Sequence, residues 1–215
     1  MKTLINIKTF VGMSVATAVL MCCSVSHASI TGWSDWGYSS GLSSCYSWLD
    51  SSPQLTIEAA QQGTTPVSMW GTIHTDTPGD PTLNINDIIN NASGIDWSAF
   101  TLNVFMSSTF TIGLSPTVAN PSGWTSIVTQ PVNTGPGVWM GQIQFNGGTP
   151  VSANPISADN LFNFTYQISF AGSTGYSFTE QAIVTPVPEP ASATFILLGM
   201  GALVCTWRLK QNKQI

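Results

Sequence analysis

The chain has 215 residues, of which 7% are charged and 43% are apolar, so it can form a hydrophobic core but must stay soluble through hydroxyl and amide groups. All basic residues lie near the two ends of the chain, at Lys2, Lys8, Arg208, Lys210 and Lys213. Residues 29–185 contain nine acidic residues, no Lys and no Arg, which gives a formal charge of −9 with His74 neutral. Such a body cannot neutralise phosphates, which excludes nucleic-acid binding and arginine-assisted phosphoryl transfer.

The first 28 residues have the pattern of a secretory signal peptide. Two lysines precede an apolar run over residues 10–25, and Ser26 and Ala28 supply the small residues of a cleavage site. We expect signal peptidase to cleave between Ala28 and Ser29. An uncleaved membrane anchor is the alternative, although the run is shorter than the ~20 residues that a membrane-spanning helix needs.

Residues 29–52 are rich in aromatic side chains interleaved with Gly and Ser. Trp33, Trp36, Tyr38 and Trp48 could form a stacking platform for sugar rings, because an aromatic face packs on the apolar face of a pyranose. The interpretation that we favour is that these residues pack in the core or on the edge strands of a first hairpin.

From residue 54 onward, apolar and polar residues alternate in short runs, which is the period of strands with one buried face. In one of these runs, Leu114 is predicted to be the last residue that faces the core. Pro131 is expected to lie in a loop. The last two runs, residues 162–170 and 176–184, flank a Gly-Ser-Thr-Gly turn and predict a hairpin. With about eight to ten short strands and no convincing amphipathic helix, residues 29–185 are predicted to form an all-β, two-layer antiparallel β-sandwich.

Oxygen-bearing side chains cluster in one segment of the body. Asp76, Asp80, Asn84, Asn86 and Asp87 lie within twelve residues. Calcium prefers oxygen ligands, so Asp76, Asp80 and Asp87 are candidate ligands, although Asp and Asn are also the usual turn residues between strands. We expect no other cofactor.

No catalytic motif stands out in the body. Glu58 and Glu180 lie in predicted strands, and we interpret both as solvated, so no carboxylate pair suited to a glycoside hydrolase is distinguished. A Ser-His-Asp hydrolase would have to use His74, and nothing in the sequence brings a serine to it. Cys45 is the one cysteine of the body and is expected to be a small buried hydrophobe, with pairing between chains as the alternative. We expect no enzymatic activity, with an unrecognised hydrolase as the alternative.

The C-terminal segment, residues 186–215, has three parts in a fixed order. Residues 187–191 read Val-Pro-Glu-Pro-Ala, and residues 191–207 are almost entirely apolar. As a helix with a rise of ~1.5 Å per residue, this run would span about 25 Å, which predicts a single C-terminal transmembrane helix. The basic residues of the tail, residues 208–215, are Arg208, Lys210 and Lys213. They would stop transfer and remain cytoplasmic by the positive-inside rule.

Pro188, Glu189 and Pro190, followed by a short apolar span and a basic tail, resemble the PEP-CTERM sorting signal of Gram-negative bacteria. The resemblance implies that exosortase, a membrane cysteine protease, recognises this triplet and removes the anchor, often in bacteria that make exopolysaccharide. It also implies an exported protein that is held transiently in the inner membrane and then delivered to the cell surface or biofilm matrix. We therefore expect a non-enzymatic surface or exopolysaccharide-matrix protein, with a carbohydrate-binding module as the alternative.

Overall fold

The computed structural model describes residues 28–50, 53–79 and 81–188. Within these residues, twelve strands and one short 3-10 helix, Ala158–Asn160, make up the regular structure. The strands are β1 (Ile30–Tyr38), β2 (Leu42–Leu49), β3 (Gln54–Gln61), β4 (Val67–Thr75), β5 (Thr82–Asn91), β6 (Trp97–Met106), β7 (Phe110–Ile112), β8 (Thr117–Asn120), β9 (Thr125–Gly135), β10 (Val138–Val151), β11 (Leu161–Phe170) and β12 (Gly175–Pro186).

The strands form two sheets, which confirms the all-β prediction. The first sheet has the order β1-β4-β12-β6-β10-β9, and the second has the order β2-β3-β5-β11-β7 with β8 also paired to β11. The described residues contain more strands than the eight to ten that we predicted. The prediction of a purely antiparallel sandwich needs one correction, because β3 and β5 pair in parallel.

Both connections that we predicted as hairpins instead carry the chain from one sheet to the other. β1 pairs with β4 whereas β2 pairs with β3, so the aromatic segment is not a hairpin. β11 pairs with β5 whereas β12 pairs with β4 and β6. A hairpin and a crossover between sheets have the same alternation and the same turn residues, because either connection turns the apolar side chains toward one core. Periodicity alone therefore does not distinguish them.

Aromatic side chains from both sheets meet in the core. Phe100 and Phe145 come from the first sheet, and Phe162 and Phe164 come from β11 of the second. The ring centroids of Phe100 and Phe162 are 4.8 Å apart, and those of Phe145 and Phe164 are also 4.8 Å apart. Such tilted contacts stabilise a pair by about 1 kcal/mol beyond the burial of its surface. The cluster therefore holds the two sheets together through the middle of the molecule.

Two residues do not lie where their patterns predict. Leu114 is 79% exposed, because β7 ends at Ile112 and the chain then leaves the sheet. Pro131 lies within β9 and not in a loop. β9 is an edge strand, where the missing N–H of proline costs no hydrogen bond of the ladder, and its register with β10 shifts beside this residue.

In the part of the chain that the structure describes, no helix is both long enough and apolar enough to cross a membrane. Residues 1–27 of the predicted signal peptide and the predicted transmembrane helix at 191–207 lie outside the described residues. The same holds for Asp80, Glu189, Pro190, Arg208, Lys210 and Lys213.

Candidate functional site

The N-terminal aromatic residues do not share one surface, and Trp33 belongs to the core. Its ring packs edge-on against Phe178 with the centroids 6.0 Å apart, and it covers Gly71 so closely that a Cβ there would lie 2.3 Å from a ring carbon. The indole Nε1 of Trp33 donates a hydrogen bond of 2.8 Å to Ser47 Oγ on β2. Trp33 thus links the edges of the two sheets and is not part of an exposed platform.

Trp36 and Tyr38 form an exposed stacked pair on β1. Their ring centroids are 6.1 Å apart, the ring planes are inclined by 18°, and Trp36 is 43% exposed. A register shift between Ser34 and Gly37 interrupts the pairing of β1 with β4 beside them. Sequence reasoning missed Trp70 of β4, which is also exposed and whose ring lies over Gly37. The sequence did contain a sign of this exposure, because Trp70 occupies a position of β4 that alternates with the buried residues and would normally be polar.

Trp48 lies on the outer face of the other sheet, together with the exposed Tyr46. The pairing registers place Trp48 opposite Thr56, Thr56 opposite Asn86, and Asn86 opposite Thr165. These four residues therefore form one row across the second sheet. The predicted platform is thus divided between a stacked pair on β1 and a single indole on β2.

An open groove of about 520 Å³ lies on the same outer face of the second sheet. Uncharged polar side chains dominate its lining, and they include Gln54, Asn84, Asn86, Thr165 and Gln167. Gln167 Nε2 donates a hydrogen bond of 3.1 Å to Asn84 Oδ1. This bond uses neither the amide N–H groups of Asn84 nor the amide oxygen of Gln167, so both can bond to a ligand. The groove can therefore both donate to and accept from a polar, uncharged ligand.

Two carboxyl groups, those of Asp87 and Glu180, face each other inside the sandwich. Our prediction that Glu180 is solvated is wrong. Glu180 of β12 is only 5% exposed, whereas Glu58 is exposed as predicted. Glu180 falls on the apolar side of the alternation in β12, and burial follows from that position. Asp87 of β5 is 1% exposed, and neither of its carboxylate oxygens has a hydrogen-bond partner among the described residues. Tyr166 of β11 donates a hydrogen bond to Glu180 Oε1 across the two sheets.

We call four neighbouring residues the buried acidic cluster: Asp87, Glu180, Tyr166 and Cys45. Burial is the main cause of the raised pKa of each of them. Desolvation raises the pKa of Glu180 to about 7, although the hydrogen bond from Tyr166 lowers it. Desolvation and then the charge of Glu180 raise the pKa of Asp87 well above its usual value. Desolvation and then the two carboxylates raise the pKa of Tyr166, and they raise the pKa of Cys45 to about 12. Cys45 is a free buried thiol, as predicted for a small hydrophobe, and it stays protonated at neutral pH.

The buried carboxyl pair has no room for a substrate. Asp87 and Glu180 line a cavity of about 30 Å³ whose other walls are mainly aliphatic. That volume is about the share of one molecule in liquid water, so neither a sugar ring nor a peptide fits between the carboxyls. The geometry of this pair therefore does not suit a glycoside hydrolase, whose carboxyls flank a bound sugar.

A serine does reach His74, which the sequence did not indicate. Ser34 Oγ lies 2.8 Å from His74 Nε2, and the same hydroxyl donates a hydrogen bond of 2.9 Å to Asp35 Oδ2. A hydroxyl has one proton, so while Ser34 donates to Asp35 it accepts from His74. In a catalytic triad the acid instead orients the histidine, and the histidine accepts from the serine. In this contact the serine accepts from the histidine instead of donating to it, so the hydrogen bonds run in the wrong direction for an activated nucleophile.

The predicted calcium ligands do not converge in the part of the chain that the structure describes. Asp87 points into the core, whereas Asn84 and Asn86 lie on the opposite face of β5. Asp76 instead accepts a hydrogen bond of 2.8 Å from the backbone N–H of Ser29. No group of three His, Cys, Asp or Glu residues among the described residues is placed to hold a metal ion.

The contact between Ser29 and Asp76 lies at the predicted signal-peptide cleavage site. Ala28 is buried, and the backbone N–H of Asp76 also donates a hydrogen bond of 3.0 Å to the Ser29 carbonyl. Cleavage after Ala28 would turn the nitrogen of Ser29 into a charged amino group. It would then make a charge-assisted hydrogen bond with Asp76, which is stronger than a neutral one.

Comparison with known proteins bears on the C-terminus alone. Searches of curated proteins and of solved structures found no match. A family model described as the PEP-CTERM protein-sorting motif matches residues 186–211, which include Pro188, Glu189 and Pro190. The match confirms the resemblance drawn from the Pro-Glu-Pro triplet, the apolar run and the basic tail. The chain carries a PEP-CTERM protein-sorting motif, which implies export that depends on exosortase.

Proposed function

We propose that this exported chain is a non-enzymatic protein of the cell surface or of an exopolysaccharide matrix. The sorting motif at residues 186–211 is the observation that carries the proposal. The composition of the body supports it, because a core covered mainly by uncharged polar side chains, with no Lys or Arg, suits a protein that remains among hydrated polymers.

In this proposal, residues 191–207 hold the protein in the inner membrane until exosortase acts near Pro188, Glu189 and Pro190. Mass spectrometry of the mature protein from exosortase-competent cells tests the step. We expect a C-terminus before residue 191, and in exosortase-deficient cells a chain that still contains Arg208. Mature protein from competent cells that extends past Trp207 would contradict C-terminal processing.

Fractionation tests the destination. In cells that make exopolysaccharide we expect the mature protein in the matrix fraction, and in cells that lack the polymer we expect it in the medium or on the cell. An unchanged distribution would contradict retention by the matrix, which is our proposal. It would leave export, which the motif implies, unaffected.

A second candidate function is carbohydrate binding, and the groove on the second sheet favours it. Its amides and hydroxyls match the donors and acceptors of sugar hydroxyls, and its volume lies within the usual range of ligand pockets. Trp48 lies in the same cross-strand row as Asn86 and Thr165, two strands from Asn86, or about 10 Å at ~4.8 Å per strand. The negative body favours an uncharged glycan over an acidic one.

A glycan array with neutral and uronic-acid oligosaccharides tests this candidate. We expect retention of neutral glycans by the wild-type protein and a loss of about 30-fold in the Asn86→Ala/Gln167→Ala variant, since two lost hydrogen bonds at about 1 kcal/mol each cost about 2 kcal/mol. Gln144→Ala, an exposed amide on β10 of the other sheet, is the matched control. Equal retention by wild type and the groove variant, together with a loss in Trp36→Ala/Tyr38→Ala, would move the site to the stacked pair.

A further inference from the structure

The buried acidic cluster connects the two sheets through groups that can lose protons. Tyr166 and Asp87 belong to the second sheet, and Glu180 belongs to the first. The hydrogen bond from Tyr166 to Glu180 and the cavity shared by both carboxyls join β11 and β5 to β12. A change in the charge of either carboxyl therefore acts directly on the packing between the sheets.

Among the described residues, no cation is available to balance a negative charge at this place. Within the first sheet, the neighbours of Glu180 are Met69 on β4 and Val104 on β6, and both are neutral. Within the second sheet, the neighbours of Asp87 are Ile57 on β3 and Phe164 on β11.

In the part of the chain that the structure describes, the other titratable groups that face the pair are weak acids. They are Tyr166 on β11 and Cys45 on β2, whose ionised forms would add negative charge. The sequence has no Lys or Arg between Lys8 and Arg208, and His74 is hydrogen-bonded to Ser34. Ionisation of Asp87 or Glu180 therefore places an unpaired charge in an aliphatic cavity.

We propose that Asp87 and Glu180 are a pH-sensitive contact between the sheets, which holds the sandwich together while they are protonated and loosens it when they ionise. A protonated carboxyl can donate a hydrogen bond and carries no charge, so it costs far less free energy to bury than a carboxylate. After ionisation, two like charges face each other at the cavity, and water must enter or the sheets must separate to solvate them.

The direction of the pH dependence follows from protons held by the folded state. The pKa of Glu180 is about 7 in the folded protein and 4.5 as its ordinary value, so the folded state keeps a proton that the unfolded chain releases. The stability that this proton contributes is therefore fully present at pH values below 4.5 and is lost as the pH rises through about 7. Between pH 5 and pH 8, Glu180 alone should raise the unfolding equilibrium constant on the order of 100-fold. Asp87 acts in the same direction.

The test is urea unfolding of the mature exported protein at pH 5, 6, 7 and 8. We expect the unfolding constant of the wild type to rise with pH, each of Glu180→Gln and Asp87→Asn to flatten that rise, and the double variant to remove most of it. Glu58→Gln changes an exposed carboxyl on β3 and should keep the wild-type slope. Equal stability of the wild type at pH 5 and pH 8, or a wild-type slope in a folded double variant, would overturn the proposal.

Infrared spectroscopy of the wild type gives a readout that does not depend on the variants folding. We expect the carbonyl band of a protonated carboxyl to persist in the folded protein at pH 6.5 and to vanish on unfolding at that pH. A folded wild-type protein without this band at pH 6.5 would show that both carboxyls are ionised in the core, and would also overturn the proposal.

Discussion

Replacing Trp33 by alanine separates the two interpretations of the N-terminal aromatic residues. The change removes the ring that packs on Gly71 and Phe178 and also the hydrogen bond from Nε1 to Ser47. Truncation of a buried Trp costs about 3–5 kcal/mol. Because Trp33 is only partly buried, we take the lower end and expect the free energy of unfolding to fall by about 3 kcal/mol, including about 1 kcal/mol for the hydrogen bond.

Urea unfolding followed by circular dichroism measures this loss at one fixed pH. Trp36→Ala and Trp48→Ala are the matched controls, since Trp36 is 43% and Trp48 41% exposed. Each control should change the free energy of unfolding by less than about 1 kcal/mol. A Trp33→Ala variant that is as stable as the Trp36→Ala variant would refute the assignment of Trp33 to the core and would restore it as a surface aromatic.

Three further outcomes are expected. Gly71→Ala should lower the free energy of unfolding by about 1–3 kcal/mol, because its Cβ would lie 2.3 Å from the Trp33 ring, whereas Gly175→Ala, with nothing within 4 Å, should not; urea unfolding of both checks the difference. Leu114→Ser should change the melting temperature very little, since Leu114 is 79% exposed and the change costs about 0.5 kcal/mol or less; a large drop in calorimetry would mean that Leu114 is covered. A fluorophosphonate probe should not label Ser34, because its hydroxyl donates to Asp35; labelling that is lost in Ser34→Ala would show a reactive serine beside His74.

Strand positions were predictable where one face of a strand is buried and the other is not. In β4, Val67, Met69, Gly71 and Ile73 are all buried, as their alternation indicates. In β6, Phe100, Leu102, Val104 and Met106 are likewise buried, although Asn103 between them is buried as well. The sheet to which each strand belongs was not predictable, because alternation records only that a face is buried. It does not record which neighbour supplies the backbone hydrogen bonds.

The candidate sites show the same limit at the level of single residues. An aromatic residue between polar ones is consistent with a platform or with a core position, and within β1 Trp33 packs against the core whereas Trp36, three residues further on, is exposed. A register shift between Ser34 and Gly37 determines how β1 continues past Trp36, and such shifts leave little trace in the sequence. The groove on the second sheet combines residues from β3, β5, β8 and β11. β5, β11 and β8 pair antiparallel, and β3 joins them through the parallel pair with β5, which no local pattern indicated.

The burial of the two carboxyls was predictable from the alternation of apolar and polar residues. We instead expected them at the surface because of their residue type. Asp87 and Glu180 occupy inward positions of β5 and β12, yet charged residues are almost never fully buried without a partner, so a surface position was the natural expectation. The alternation was the better guide, because a slip of one residue in β12 would expose Tyr176, Phe178 and Val184 in order to solvate one carboxyl. Burying those three apolar side chains outweighs the cost of keeping a proton on Glu180, which explains how a strand of this composition can carry an acid into the core.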